Sequence, residues 1–156
     1  MSCAAADKCE TEYSPYHCSL KMGNKGRVYF SLRGNFDPEE ITRKVGIQPS
    51  EMWRAHEKDS LRKIPTASSW DYSSAPKEGE IVDVYGLSQD LADSLVSKRD
   101  IFKGIILDEG ITGVLQVVLH ISMDESISMP SIGFDRGVID FVSYVGAFID
   151  IDTYRH

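Results

Sequence analysis

The chain has 156 residues, with 24 acidic against 17 basic side chains and a formal net charge of −7. The length suits one domain with its own core, and 42% hydrophobic with 26% charged residues is an ordinary globular composition. So acidic a chain, with no basic stripe, repels phosphate backbones and argues against nucleic acid; no apolar run approaches the roughly 20 residues that span a bilayer.

Residues 1–24 carry Cys, Ser, Asp, Glu, Tyr and Pro without periodicity and read as a flexible leader before a single domain at 25–156. Met1 to Asp7 has neither a basic start nor a long apolar stretch, so it does not read as a secretory signal, and a cytoplasmic protein is expected. Cys3, Cys9 and Cys18 are odd in number and badly spaced for zinc, which leaves reduced thiols and no expected metal.

Arg27 to Arg33 alternates as a first strand, with Val28, Phe30 and Leu32 on one face. Gly34-Asn35 breaks it. A helix follows, with Asp37 as N-cap, Pro38 at its first position, Glu40 completing a capping-box pair and Phe36 placed to staple onto Ile41. Gly46 ends it. Glu51 to Lys63 is charge-rich, holds Trp53 and His56, and reads as a helical turn and a loop; Trp53 is either a core plug or a contact residue. Ser68 to Ser73 is a second strand with Trp70 and Tyr72 on one face. Ala75 to Glu80 reads as a polar linker, and Ile81 to Tyr85 extends either the sheet or the linker.

Ser88 is the expected cap of the next helical run, which Lys98-Arg99-Asp100 divides in two before Glu109-Gly110. Val114 to Met123 is the most β-prone run in the sequence. After a loop, Phe134-Asp135…Ile139…Val145-Gly146 echoes Phe36-Asp37…Ile41…Val45-Gly46, and Phe148 to Tyr154 closes the chain as a strand. The echo implies two strand–helix–strand halves around an inserted helical segment. The expected fold is α+β, a ferredoxin-like sandwich with a mainly antiparallel sheet and helices on one face.

Val28–Leu32, Phe36 to Ile41, Val45 to Ser50, Trp70 and the ending Gly146 to Tyr154 together resemble the bacterial domain-of-unknown-function family numbered 4279, over about residues 27–154. The family carries no activity to transfer. The resemblance is compatible with the suspicion that small acidic proteins of this kind act as immunity proteins for secreted toxins.

A ferredoxin-like order sets the last strand beside the first. Alternation then leaves one sheet face with Tyr29, Ser31, Arg33, Gln116, Val118, His120, Phe148, Asp150, Asp152 and Tyr154. Arg33 is expected to neutralise one or both aspartates; the sharper alternative is a divalent-metal or acid–base site of His120, Asp150 and Asp152. No nucleophile elbow or phosphate loop is present. The expectation is a non-catalytic, cofactor-free protein-binding module using Arg33, Trp53, His120, Asp124, Glu125, Asp150 and Asp152. Its most specific form is an immunity-type inhibitor of a basic toxin. The alternatives are a small metal-dependent hydrolase and a small-ligand-binding regulatory domain.

Overall fold

The computed structural model describes residues 23–57 and 66–155. The cysteines and most of the expected leader lie outside these residues, as does the second half of the charged loop.

The elements are β1 (Asn24–Gly34), α1 (Pro38–Val45), β2 (Glu51–Trp53), β3 (Ser68–Ser73), β4 (Lys77–Gly79), α2 (Val84–Leu95), α3 (Arg99–Glu109), β5 (Thr112–Ile121), α4 (Arg136–Val145) and β6 (Phe148–Arg155). A 3₁₀ turn at Val96–Lys98 separates α2 from α3, where the basic pair interrupts the apolar pattern. No described helix is long and apolar enough to cross a membrane.

Local chemistry explains the helix ends. The Asp37 carboxylate accepts from the Glu39 backbone N–H at 3.0 Å, satisfying a donor the helix cannot pair internally. Gly46 and Gly146 sit at φ 72° and 78°, the left-handed region where a side chain would be strained. Glu40, expected to complete a capping box, instead has its carboxylate 3.9 Å from Arg43. Ser88 is not a cap. The cap lies five residues earlier, where Asp83 accepts from Gly86 N–H at 3.1 Å, while the buried Ser88 hydroxyl donates back to the Val84 carbonyl. Sequence spacing alone does not separate these serine roles, because a capping hydroxyl and one bonded to the preceding turn both suit Ser.

The strands form one six-stranded sheet in the order β2-β3-β1-β5-β6, with β4 also pairing β1. All pairs are antiparallel except β5 with β6. The last strand therefore does not flank the first, as a ferredoxin-like order requires. Both edges of β1 are occupied. Lys25 pairs with His120 on one side and Glu78 on the other, so β4, read as linker, shares an edge of β1 with β3. The chain after β5 instead crosses over through α4, and a crossover of this kind returns a strand parallel to its predecessor. Glu51–Trp53, read as a helical turn, pairs with β3 as an edge strand.

The four described α-helices bury their apolar sides on one sheet face. Val28, Phe30, Leu32, Trp70, Leu115, Val117 and Leu119 project there from the strands, and Ile41, Leu91, Leu95, Phe102, Val138 and Phe141 meet them from the helices. At the β6 edge this cover thins: Ile149 is half-buried and Ile151 exposed.

Candidate functional site

The opposite sheet face is the candidate site. Strand register fixes which side chains lie in one row across it. The first row is Trp53, Ser69, Arg33 and Thr112, and the second is Glu51, Asp71, Ser31, Val114 and Phe148. Ser73, Tyr29, Gln116 and Asp150 follow, then Arg27, Val118 and Asp152, and finally Glu78, Lys25, His120 and Tyr154. Every residue that alternation assigned to this face is on it.

Two hydrogen-bonded arms spread from Arg33. On one side its Nε donates to Ser31 Oγ at 3.3 Å, and that hydroxyl donates to Asp71 Oδ1 at 2.5 Å. On the other, a terminal nitrogen donates to Gln116 Oε1 at 3.4 Å, and Gln116 Nε2 donates to Asp152 Oδ2 at 3.2 Å. Ser31 and Gln116 are 0% and 1% exposed, so two neutral polar groups are dry on a face that no helix covers among the described residues. Each is satisfied by its neighbours, as a buried polar group requires. Arg33 was expected to pair directly with Asp150 or Asp152. With β5 standing between β1 and β6, it reaches Asp152 only through Gln116. Asp71 was not singled out from sequence, and its signal was only its place in an alternating strand.

Aromatic rings border these arms. Arg27 lies over the Tyr29 ring at 4.7 Å, and His120 stacks on Tyr154 with centroids 5.2 Å apart. Trp53 is half-buried on the edge strand, and the following Arg54 is clamped by Asp37 at 3.0 Å and Glu39 at 3.1 Å. His120, Asp150 and Asp152 fall in three successive rows, and strands rise about 3.3 Å per residue. No group of three or more His, Cys, Asp or Glu with metal-binding proximity occurs among the described residues.

The family model described as a domain of unknown function, DUF4279, matches residues 24–156. The chain belongs to the DUF4279 family. No curated protein and no solved structure matches it.

In this DUF4279 chain, Asp124 and Glu125 lie off the open face. They line a cleft of about 650 Å³ at the carboxyl ends of β5 and β6, together with Met123, Met129, Ile132 and Tyr154. Met123 is 65% and Met129 69% exposed, so the cleft walls are flexible apolar side chains that adapt to different surfaces. Tyr154 joins the two regions, stacking on His120 from the cleft side.

The Asp71 carboxyl titrates above its ordinary 3.8; burial is the largest cause and outweighs the Ser31 hydrogen bond and the nearby Arg33 charge. The folded protein thus holds this proton more tightly than the unfolded chain. The unfolded state binds fewer protons in the window above 3.8, and stability falls as pH rises through the raised value. Asp71→Asn keeps an acceptor for Ser31 and removes the titration. Its stability is expected to vary less with pH across that window and, at pH 7, to equal or exceed wild type in urea titrations. An unchanged slope would assign the pH dependence to another group.

Proposed function

We propose that this protein is a non-catalytic protein-binding module whose contact surface is the open sheet face and the adjoining cleft. One observation carries the reading: the four described α-helices cover one face of the sheet, while the other, which no described helix covers, holds a satisfied polar lattice with rings along its margins. Such a surface is preorganised, so little order is lost on binding. Aromatic and arginine side chains at its centre and margins are the types enriched at binding hot spots. In its most specific form the proposal is immunity-type inhibition of a basic toxin in the cytoplasm, supported by the net charge of −7 and the acidic groups on the face and cleft.

The test measures association and dissociation rates of the co-purifying protein against ionic strength. Wild type, Trp53→Ala and Asp124→Lys/Glu125→Lys are compared. Wild-type association is expected to slow as the Debye length falls from roughly 10 Å at 0.1 M salt to 3 Å at 1 M. Charge reversal should slow association and flatten the curve, and Trp53→Ala should raise dissociation at least tenfold. Coincident, salt-independent rates for all three proteins would remove this surface from consideration.

A further inference from the structure

β6 ends the sheet. Among the described residues no strand pairs its outer edge, and seven of its eight residues are exposed. An open edge offers a row of unpaired backbone donors and acceptors to another chain. Globular proteins usually blunt such an edge with proline, lysine, a bulge or a short strand. The β6 sequence Phe-Ile-Asp-Ile-Asp-Thr-Tyr-Arg has no proline or lysine and is not short. Its one basic charge is Arg155 at the last position, and its acidic charges are Asp150 and Asp152, two residues apart and therefore both on the open face. Ile149 and Ile151 alternate with them on the helix side, and Ile151 is 39% exposed.

This pattern discriminates between occupants. Antiparallel pairing of β6 with a second copy has two registers that keep the faces matched and overlap the strands well. One, centred on Ile151, sets Asp150 opposite Asp152 twice. The other, centred on Asp152, sets that residue against itself. Like charges directly opposite each other destabilise a strand pair. A strand with lysine or arginine at alternate positions meets the same two carboxylates favourably, and its intervening apolar side chains lie beside Ile149 and Ile151. Gln116 holds the Asp152 carboxylate in place for such a partner.

We propose that the partner binds by adding a strand to the free edge of β6, through an extended segment that alternates basic and apolar residues. This rests on the protein-binding reading and specifies how the partner engages. Main-chain hydrogen bonds supply affinity in this mode and the alternating side chains supply specificity.

The probe is a synthetic octapeptide of alternating lysine and valine. Its controls are a peptide of the same composition with the lysines in one block, and the alternating peptide with N-methylated amides at every second position. Binding is read by fluorescence anisotropy at 0.15 M salt, and the site by hydrogen exchange of β6 amides. The alternating peptide is expected to bind at least tenfold more tightly than either control and to slow exchange in β6. Asp150→Lys, an exposed change that spares the Gln116–Asp152 hydrogen bond and should leave the melting temperature near wild type, should weaken that binding at least tenfold. Asp150→Lys/Asp152→Lys should abolish it and favour an alternating glutamate–valine peptide, with some loss of stability where Gln116 loses its acceptor. Equal binding of all three lysine peptides would reduce the effect to charge attraction and overturn strand addition. A dimer in sedimentation that protects β6 without peptide would assign the edge to a second copy. If the peptides fail while Trp53→Ala still weakens the natural partner, the edge proposal falls and the open-face reading stands; peptide binding without any Trp53 effect has the converse meaning.

Discussion

Phe30→Ala is expected to destabilise the protein by about 3–5 kcal/mol, the range for truncating a buried phenylalanine in a core that relaxes only partly. Phe30 is fully buried on the central strand. Its ring meets Phe102 of α3 edge-on at 5.1 Å and Phe141 of α4 at 5.7 Å. Phe102 in turn packs on Trp70 of β3 at 5.9 Å, and Trp70 Nε1 donates to the Thr42 hydroxyl of α1 at 3.0 Å. Phe30 therefore joins its strand directly to two helices, and the chain of rings it starts ties in β3 and α1. Edge-to-face aromatic pairs contribute roughly 0.5–1.5 kcal/mol beyond the area they bury. Against a total stability of about 5–15 kcal/mol, the loss is a large fraction of what holds the fold. Urea unfolding at 25 °C measures it, with Phe30→Leu as the control that keeps most of the volume. A loss below about 1.5 kcal/mol would mean that α3 and α4 close over the cavity.

Phe30 also illustrates what was legible in the sequence. Alternation is a local property, and Val28, Phe30 and Leu32 declare an apolar face whatever strand lies alongside. For that reason the inward and outward residues of β1, β5 and β6 follow from the sequence alone. The partner of β6 does not. It depends on which edges of β1 are already taken, and the strand taking part of one edge is Lys77–Gly79, three residues with no hydrophobic pattern. Short edge strands such as this and Glu51–Trp53 are held by pairing to a neighbour, not by their own propensity. The same distinction governs the site. Arg33, Asp150 and Asp152 were assigned to the correct face, but the connection between them runs through Gln116, whose role requires knowing that β5 lies between β1 and β6. Asp124 and Glu125 were expected on the loop after the His120 strand, and that loop lines the cleft beside the face.

Asn24, which ended the segment read as leader, is the position whose sequence reading and structural role differ most, and Asn24→Ala is expected to cost on the order of 3 kcal/mol. The residue opens β1 and is 1% exposed. Its side-chain amide donates to the Glu80 carbonyl at 3.0 Å and the Ser128 carbonyl at 2.9 Å, and its Oδ1 accepts from the Ser122 N–H at 3.0 Å. Both amide hydrogens and the oxygen are thus used, and three chain segments distant in sequence are tied at one point. Alanine leaves two carbonyls and one N–H without these partners, and each buried polar group left unpaired costs roughly 1–3 kcal/mol. Three such groups would sum to about 3–9 kcal/mol, and partial rescue by water holds the loss near the lower end. The loop from Ser122 to Ser128 should then open, and hydrogen exchange at Ser122 and Ile127 should quicken more than at core amides of β1. Asn24→Asp separates hydrogen bonding from shape. At neutral pH it aims a carboxylate at two carbonyl oxygens in a buried site, so its pKa should rise and its penalty should exceed that of alanine. As pH falls through that raised value the group gains a proton, becomes a donor again, and the penalty should shrink. A pH-independent Asn24→Asp, or an Asn24→Ala loss under 1 kcal/mol in urea titration, would show that Asn24 fills space at this junction without clamping it.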